Sequence, residues 1–294
     1  KSLQKVKVFY NFTGMKNFRL LINCKDQAGI IAATTNFISK CEGNITYVDQ
    51  HVDLQQGVFF MRLEYTLENT KIGKEEFVRS FKSQVGSLFD MNWELSDSES
   101  RLKMALFVSK YDHCLYDILG RYKSGELMVE IPFIVSNHKD LKPIADSFNI
   151  PFFYVPTSAE TREKVQYKHL ELLKKYKADF IVLARYMQII PKGIVAAYPS
   201  KIINIHHSFL PAFAGAKPYH SAFKRGVKII GATSHYVTTE LDAGPIIEQD
   251  VVRVSHAHSI QDLIAKGRDL EKIVLANAIK QHIQQKVLVY DNKT

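Results

Sequence analysis

Phe180-Ile181-Val182-Leu183-Ala184 is a run of five apolar residues that decides the fold of the larger part of the chain. A run this short and apolar throughout is typical of a strand covered on both faces. Around it, strand patterns at 103–109, 128–135 and 152–155 alternate with helix patterns at 113–123, 141–148 and 160–177. The alternation predicts a Rossmann-like, doubly wound α/β domain with a mostly parallel sheet, whose ligands bind beyond the carboxyl ends of the strands.

The chain closes this domain with a predicted long helix at 260–284 and a short strand at 287–290. The first hundred residues follow another pattern, with strands at 18–24, 44–53, 58–66 and 88–95 and helices at 30–40 and 74–85. The order βαββαβ predicts a ferredoxin-like domain. Ser96-Asp97-Ser98-Glu99-Ser100 is polar and has no apolar anchor. We therefore predict an N-terminal domain at 1–95, a linker at 96–101 and a larger domain at 102–294.

The composition of the 294 residues, with 46% hydrophobic and 23% charged residues, is that of an ordinary globular protein. No apolar run approaches the roughly 20 residues of a membrane span, and the N-terminus has no signal-peptide core. We expect no membrane partner and a cytoplasmic location, although a targeting segment can precede Lys1 because the sequence does not begin with Met. Three widely spaced cysteines favour reduced thiols over disulfides or a thiolate zinc site.

The formal net charge of +9 is spread along the chain, and no dense Lys/Arg tract appears. A solvated basic surface explains this charge as well as an anionic partner does, and we expect no nucleic-acid partner.

Asn204 and His206 are the polar residues of the strand-like segment Ile203-Asn204-Ile205-His206. If this segment is extended, its period of two places both side chains on one face, just before a loop marked by Pro211. An amide donor and an imidazole aimed at one point suit a reaction that develops negative charge on a carbonyl oxygen.

A second imidazole and a carboxylate follow at His235 and at Asp242, the latter in a turn marked by Gly244 and Pro245. A carboxylate beside an imidazole orients it, keeps it protonated or takes a proton from water. Each residue alone has an ordinary structural explanation, such as a turn role for Asp242. One shared site explains them together.

A metal site is the alternative explanation for the histidines of this region, but their spacing matches no recognised ligand motif, so we predict no metal. The histidines concerned are His206, His207, His220 and His235. The apolar residues at 183–190 predict either a pocket for a flat ring system or plain core.

Asn204-Ile205-His206 with Ser208-x-Leu210-Pro211, and Leu241-Asp242-x-Gly244-Pro245-Ile246-Ile247, resemble the formyltransferase family that uses 10-formyltetrahydrofolate. The resemblance implies a catalytic trio of Asn204, His206 and Asp242, with no metal or other cofactor. His235 is implied as a supporting residue, and His207 and His220 either support the fold or touch the formyl group. The residues implied to hold the folate are Arg185, Met187, Gln188 and Ile189.

Within that family, the segment Ser109-Lys110-Tyr111-Asp112-His113-Cys114 resembles the formyltetrahydrofolate deformylases, as do 133–138 and 216–220. Glycinamide ribonucleotide transformylases carry a Gly- and Ser-rich loop here, whose backbone amides cradle the acceptor's phosphate. This segment has no Gly, so water is the expected acceptor. The resemblance spans essentially the whole chain. It implies a hydrolase that releases formate and tetrahydrofolate, supplying formate for purine biosynthesis and balancing the one-carbon folate pool.

The loop Asp26-Gln27-Ala28-Gly29-Ile30 resembles the start of an ACT domain. The resemblance implies an amino-acid effector near Asp26, Gln27 and Gly29, and a homodimer or homotetramer. The alternative is an oligomerising module in which Asp26 merely caps the following helix.

Two rival functions are weighed against the deformylase. Methionyl-tRNA formyltransferases share the trio, but they carry a C-terminal barrel for which the sequence leaves no room after its last helix. A regulatory sensor without catalysis would explain the ACT-like domain, but the intact trio argues against it.

Overall fold

The computed structural model describes residues 15–68, 73–157, 162–211 and 218–294. The chain divides into two compact units, Lys1–Ser100 and Arg101–Thr294. Among the described residues, no helix has both the length and the apolar character needed to cross a membrane.

The first unit is a four-stranded antiparallel sheet with two helices, as the order βαββαβ predicted. Its elements are β1 (Met15–Lys25), α1 (Ile30–Lys40), β2 (Asn44–Asp53), β3 (Val58–Glu68), α2 (Lys74–Phe81) and β4 (Asn92–Asp97). The strands lie in the ferredoxin-like order β2-β3-β1-β4. Leu20 and Leu63 of the central strands pack against Phe77 and Phe81 of the second helical segment to form its core.

The start of α1 differs from the prediction. The residue that precedes the helix is Gly29, with a φ of 96°, and no side chain caps the helix there. Asp26 lies three residues earlier, and its backbone N–H donates to the Gly57 carbonyl oxygen. The prediction that Asp26 caps α1 is therefore wrong, because the left-handed turn at Gly29 separates that carboxylate from the first helical amides.

The sheet also extends into the predicted linker. Ser96 and Asp97 belong to β4, where they pair with Arg19 and Phe18 of β1. The strand lies at the sheet edge, and backbone pairing with β1 extends it through these two polar residues beyond its apolar part. This explains why the first two residues of the segment 96–101, which was predicted to be a linker, belong to a strand.

The second unit is an eight-stranded, mostly parallel sheet covered by helices, as predicted. Its strands are β5 (Leu102–Val108), β6 (Val129–Glu130), β7 (Ile134–Ser136), β8 (Phe152–Tyr154), β9 (Phe180–Ala184), β10 (Ile202–His206), β11 (Ile229–Tyr236) and β12 (Ile246–Arg253). Its helices are α3 (His113–Lys123), α4 (Lys142–Ser147), α5 (Arg162–Tyr176), α6 (Lys192–Ala197), α7 (Pro218–Arg225) and α8 (Ile260–Ile283).

The strand order of this sheet is β12-β11-β10-β9-β5-β7-β8, and β6 pairs with β5. The pairs from β10 to β8 are parallel, whereas β11 and β12 are antiparallel additions. From β5 the chain adds β7 and β8 on one side, and it then returns to add β9 to β12 on the other side. The point at which the order of the strands changes side lies between β5 and β9. In doubly wound sheets the crevice at such a switch point, beyond the carboxyl ends of the strands, binds the ligand.

The central strands are buried on both faces, which explains their continuous apolar sequence. Phe180 and Val182 of β9 face the core that includes α3 and α8, whereas Ile181 and Leu183 face the core that includes α5 and α6.

Two predicted strands differ in the structure. The segment 128–135 is split into β6 and β7, because Pro132 lacks the N–H that a continuous ladder needs. The segment 287–290 forms only an isolated bridge between Tyr290 and Lys293. Val287 packs against the core of the unit, so its apolar character reflects packing and not sheet pairing.

Candidate active site

Asn204 and His206 lie on β10, the last parallel strand of the sheet. The strand is extended as predicted, so its alternation places both side chains on one face. His206 is buried and Asn204 is partly buried. The strand therefore presents an amide and an imidazole side by side in a largely water-excluded place.

β11 places His235 directly opposite Asn204. The Asn204 amide nitrogen donates to His235 Nε2 over 3.2 Å, and His235 Nδ1 lies 2.9 Å from the Tyr236 carbonyl oxygen. A carbonyl oxygen only accepts, so the hydrogen of the neutral ring is on Nδ1 and Nε2 is the acceptor. His235 thereby fixes the orientation of the Asn204 amide group.

Asp242 follows β11 with a φ of 55°, a left-handed conformation that Asp tolerates better than most residues. Its Oδ2 lies 3.4 Å from His206 Nδ1, and its Oδ1 lies 3.6 Å from His235 Nε2. The His206 imidazole holds the pKa of the Asp242 carboxyl well below its usual range, against the opposing effect of partial burial. The turn requires glycine at position 244, because a Cβ there would lie 1.8 Å from the Tyr236 carbonyl oxygen.

His206 Nε2 is buried and has no hydrogen-bond partner among the described residues. With Nδ1 facing a carboxylate, the ring can exchange a proton with a bound substrate through Nε2. The Asn204 amide is a second polar group on the same strand face. Together they can stabilise an oxyanion that forms between them.

The segment that leaves β10 is held by the Thr233 hydroxyl of β11. This hydroxyl donates to the Ser208 carbonyl oxygen over 2.9 Å and accepts from the Leu210 amide over 3.0 Å. The Gln249 side-chain amide donates to it over 2.9 Å and to the Leu210 carbonyl oxygen over 3.1 Å. These bonds fix the chain immediately after His206, and the sequence pattern did not reveal them.

The segment predicted to hold the folate follows β9 at the switch point of the sheet. Met187 and Ile189 are 47% and 72% exposed, so their apolar side chains are not core residues. Gln188 is partly buried. The Met187 amide donates to Ser109 Oγ over 3.0 Å, which ties this segment to the end of β5. Exposed apolar side chains at a switch point fit a ring-binding surface, and their role in folate binding stays a prediction.

Comparisons with known proteins identify the family of this chain. The Formyl transferase family model matches residues 102–279. A formyltetrahydrofolate deformylase of Synechocystis is 52% identical over 94% of this chain and 96% of its own length. One of Bacillus subtilis is 46% identical over 94% and 92%. The chain belongs to the formyltetrahydrofolate deformylase family.

Solved structures separate this deformylase family from its transformylase relatives. The crystal structure of a deformylase from Pseudomonas syringae has a TM-score of 0.91 and 46% identity, and covers 96% of this chain and 95% of its own. A glycinamide ribonucleotide transformylase from Symbiobacterium toebii has a TM-score of 0.62 and 26% identity, and covers 66% of this chain and 92% of its own. The deformylase similarity thus covers both units.

The two remaining predicted histidines of this deformylase-family chain lie around another cavity. His207 is buried, and its ring centroid is 5.3 Å from that of His206 and 6.0 Å from that of Tyr219. His207 and the exposed His220 both line a cavity of 240 Å³ that Arg185 and Glu271 also line.

Arg185, predicted to bind folate, is 8% exposed and packs its guanidinium against Tyr111, 4.9 Å from the ring centroid. Glu271 was missed from the sequence. A charged residue on the apolar face of a long helix is the signal that could have identified it.

Among the described residues, one group of His, Cys, Asp and Glu side chains is close enough to hold a metal ion: His113, Cys114 and Glu271. It includes none of the four histidines that formed the alternative metal site. Burial raises the pKa of the Cys114 thiol well above its usual range.

The predicted effector residues Asp26, Gln27 and Gly29 line a cavity of 530 Å³ in the first unit, together with Gln50 and Phe59. The cavity places polar and apolar groups around one space. Its occupancy by an amino acid stays a prediction.

Proposed function

We propose that this chain hydrolyses 10-formyltetrahydrofolate to formate and tetrahydrofolate. The observation that carries the proposal is the assembly of Asn204, His206 and Asp242 at one end of β10, with His235 orienting the amide. The family membership over both units supports the same reaction. Formate released in this way would supply purine biosynthesis and balance the folate pool.

The formyl group lies against Asn204 and His206 in the reaction we propose. Water attacks the formyl carbon, and the carbonyl oxygen becomes an oxyanion stabilised by the Asn204 amide and by His206. His206 Nε2, which has no hydrogen-bond partner in the part of the chain that the structure describes, then gives its proton to the folate nitrogen as the C–N bond breaks. The proton that the attacking water loses passes through Asp242 to His206 and restores the imidazolium. One water is consumed, and one formate, one secondary amine and one proton released to solvent are produced.

Asp242 serves mainly as a fixed negative charge in this scheme. Its lowered pKa makes it a weak base, so it orients the attacking water and stabilises the His206 imidazolium instead of holding a proton for long. We propose no metal or other cofactor, because the polarisation of the formyl oxygen is supplied by side chains.

Water as the acceptor is supported by the segment after β5. Ser109 Oγ donates to Asn137 Oδ1 over 2.6 Å and accepts from the Met187 amide. The Tyr111 ring covers the guanidinium of Arg185. These residues use their side chains for internal contacts, and the segment has no glycine with which to build a phosphate cradle.

The first unit is proposed to bind an amino-acid effector in the cavity next to Gly29 and to mediate a homodimer or homotetramer. A cytoplasmic location is also proposed. It is supported by the three free thiols of Cys24, Cys41 and Cys114, which fit a reducing compartment.

The test is an assay of the full chain with 10-formyltetrahydrofolate and no other acceptor. We expect formate and tetrahydrofolate in equal amounts. Addition of glycinamide ribonucleotide or initiator tRNA should not divert the formyl group. Formyl transfer to either acceptor, or no formate release from a folded protein, would overturn the proposal.

A further inference from the structure

The 240 Å³ cavity beside the catalytic histidine has no part in the mechanism above. Its walls include Tyr111 and His113 after β5, Arg185 after β9, His207 after β10, and Arg268 and Glu271 of α8. His207 follows the catalytic His206 in the chain, so the cavity begins one residue from the reaction centre.

Glu271 is the carboxylate of this cavity, and its oxygens are already occupied. Oε2 lies 2.8 Å from His113 Nε2, and Oε1 accepts from the Tyr219 hydroxyl over 2.7 Å. Burial raises the pKa of Glu271, but the bonds to His113 and Tyr219 and the charge of Arg185 outweigh it, so the pKa lies below its usual range. Glu271 is therefore ionised, and its charge is balanced by Arg185, whose Nε lies 3.4 Å away.

Two buried nitrogen atoms of the cavity lining lack a hydrogen-bond partner among the described residues. They are His113 Nδ1 and Arg185 Nε, whose contact with Glu271 is an ion pair without hydrogen-bond geometry. The guanidinium can only donate, and the imidazole nitrogen becomes a donor when the ring binds a proton. Since buried polar groups in folded proteins are almost always paired, such atoms point to a bound acceptor. The Tyr111 ring covers the face of the guanidinium, so an acceptor reaches it along the edge, the geometry that suits a planar carboxylate.

The charge and size of the cavity favour a small anion. With Glu271 balanced by Arg185, the guanidinium of Arg268 leaves the lining positive. The volume equals that of about eight waters, at about 30 Å³ each. A small carboxylate with a few waters fits, whereas a folate does not.

We propose that this cavity is a binding site for a small carboxylate anion, and that its occupant during turnover is the formate product. The assignment of formate as the occupant rests on the proposed hydrolysis, which produces formate next to His206. The rings of His206 and His207 are 5.3 Å apart, so the anion moves a short distance from the broken bond into a positive site. Of the residues predicted to hold the folate, Arg185 lines this cavity, whereas Met187 and Ile189 do not. We therefore expect the cavity to lie beside the folate and to bind formate while the folate is bound.

The first test is a titration of the full chain with ¹³C-formate, followed by NMR line broadening in the absence of folate. We expect saturable binding that acetate displaces and that chloride at equal ionic strength does not. Arg268→Gln should weaken binding about fivefold, and Arg185→Lys, which removes the buried Nε donor, by about tenfold or more. Lys266→Gln removes the same charge from α8 outside the lining and should leave the affinity unchanged.

Absent or non-saturable binding, displacement by chloride, or equal losses in the Lys266 and Arg268 variants would overturn the inference. These results do not depend on turnover. A chain that deformylates folate without binding formate would disprove the anion site alone. A chain that binds formate without turnover would disprove the proposed function and the assignment of formate as the occupant in turnover.

The second test is product inhibition during steady-state hydrolysis. Formate in a separate cavity should lower kcat at saturating 10-formyltetrahydrofolate, with a weaker effect in Arg268→Gln. Purely competitive inhibition against the folate would overturn the proposal.

Discussion

Asp242 Oδ2 lies 3.4 Å from Nδ1 of His206, and Nε2 of the same imidazole is buried with no hydrogen-bond partner among the residues that the structure describes. This relationship makes one ring a link between a fixed negative charge and the substrate. Asp242→Asn removes the charge and keeps a side chain that tolerates the left-handed φ of 55°. We expect kcat/KM for formate release to fall by about 10²–10⁴-fold, with an unchanged far-UV spectrum.

Asp242→Ala is the matched comparison, because it removes the same charge but also places a residue ill suited to a positive φ in the turn. It should lose the same activity and in addition some stability in urea unfolding. Near wild-type activity in Asp242→Asn would contradict a catalytic role for the carboxylate.

Asn204 and His235 should act as one unit. Asn204→Ala is expected to lower kcat by about 10²–10³-fold, because one stabilising group of the oxyanion is lost. His235→Gln should lower kcat less, since it acts by orienting that amide. In the double variant the loss should be no larger than in Asn204→Ala alone, and steady-state kinetics of the cycle would show this. Losses that multiply would mean that His235 acts on the substrate independently.

Thr233→Val tests the bonds that hold the segment after His206. Valine has the same shape but cannot accept from the Leu210 amide or donate to the Ser208 carbonyl oxygen. We expect a loss of about 1–3 kcal/mol in the free energy of unfolding and a lower kcat, because the segment that follows His206 loosens. Thr233→Ser keeps the hydroxyl and should behave nearly as the wild type. Equal effects of both substitutions would implicate the methyl group instead.

The proximity of the candidate catalytic residues was predictable from the sequence because their positions follow from strand periodicity. Extension of β10 is enough to place Asn204 and His206 on one face, and the turn at Asp242 is marked by Gly244 and Pro245. The residues that hold them were not accessible. Thr233 and Gln249 contact the segment that follows β10 only because of the register of β11 with β10 and β12, and no local sequence pattern encodes that register.

The same limit applies to the histidines. His207 and His220 stand near the trio in the sequence, yet the fold places them around a cavity shared with Glu271, 51 or more residues away in the chain. Edge strands were the other weakness. Polar residues at 96–97 continue β4 by backbone pairing, and apolar Val287 lies outside any strand. Side-chain polarity is a poor guide where only one neighbouring strand is present.

His169 provides a test of pH-dependent stability. It is fully buried against Phe107 with neither ring nitrogen bonded in the described part of the chain, and burial lowers its pKa from 6.5 to about 4. In the unfolded chain, His169 therefore binds a proton below about pH 6.5, whereas in the folded chain it binds one only below about pH 4. Stability must fall as the pH drops through this window, by about 2 kcal/mol between pH 7 and pH 5.

His169→Phe keeps an aromatic ring in the same place and removes the titration. Urea unfolding at pH 7 and pH 5 should show a smaller loss of stability than in the wild type. Part of the loss should persist, because burial also lowers the pKa of His282 to about 4. His256→Gln alters an exposed histidine and should leave the pH dependence unchanged. Parallel curves for the wild type and His169→Phe would refute this origin.

Gly267 lets the Tyr219 ring lie directly on α8, from where its hydroxyl reaches Glu271. A Cβ at Gly267 would be 2.2 Å from the Tyr219 ring and hydroxyl. Gly267→Ala should therefore lower the free energy of unfolding by about 1–3 kcal/mol, because the ring must move away from a well-packed helix.

Gly120 is the matched control, since it also lies within a helix but has open space around its Cβ position. Gly120→Ala should raise stability by about 0.5–1 kcal/mol, because alanine loses less backbone entropy in a helix. Opposite signs in urea unfolding would show that close packing of Tyr219, and not helix propensity, requires glycine at position 267, whereas stabilisation by both substitutions would refute it.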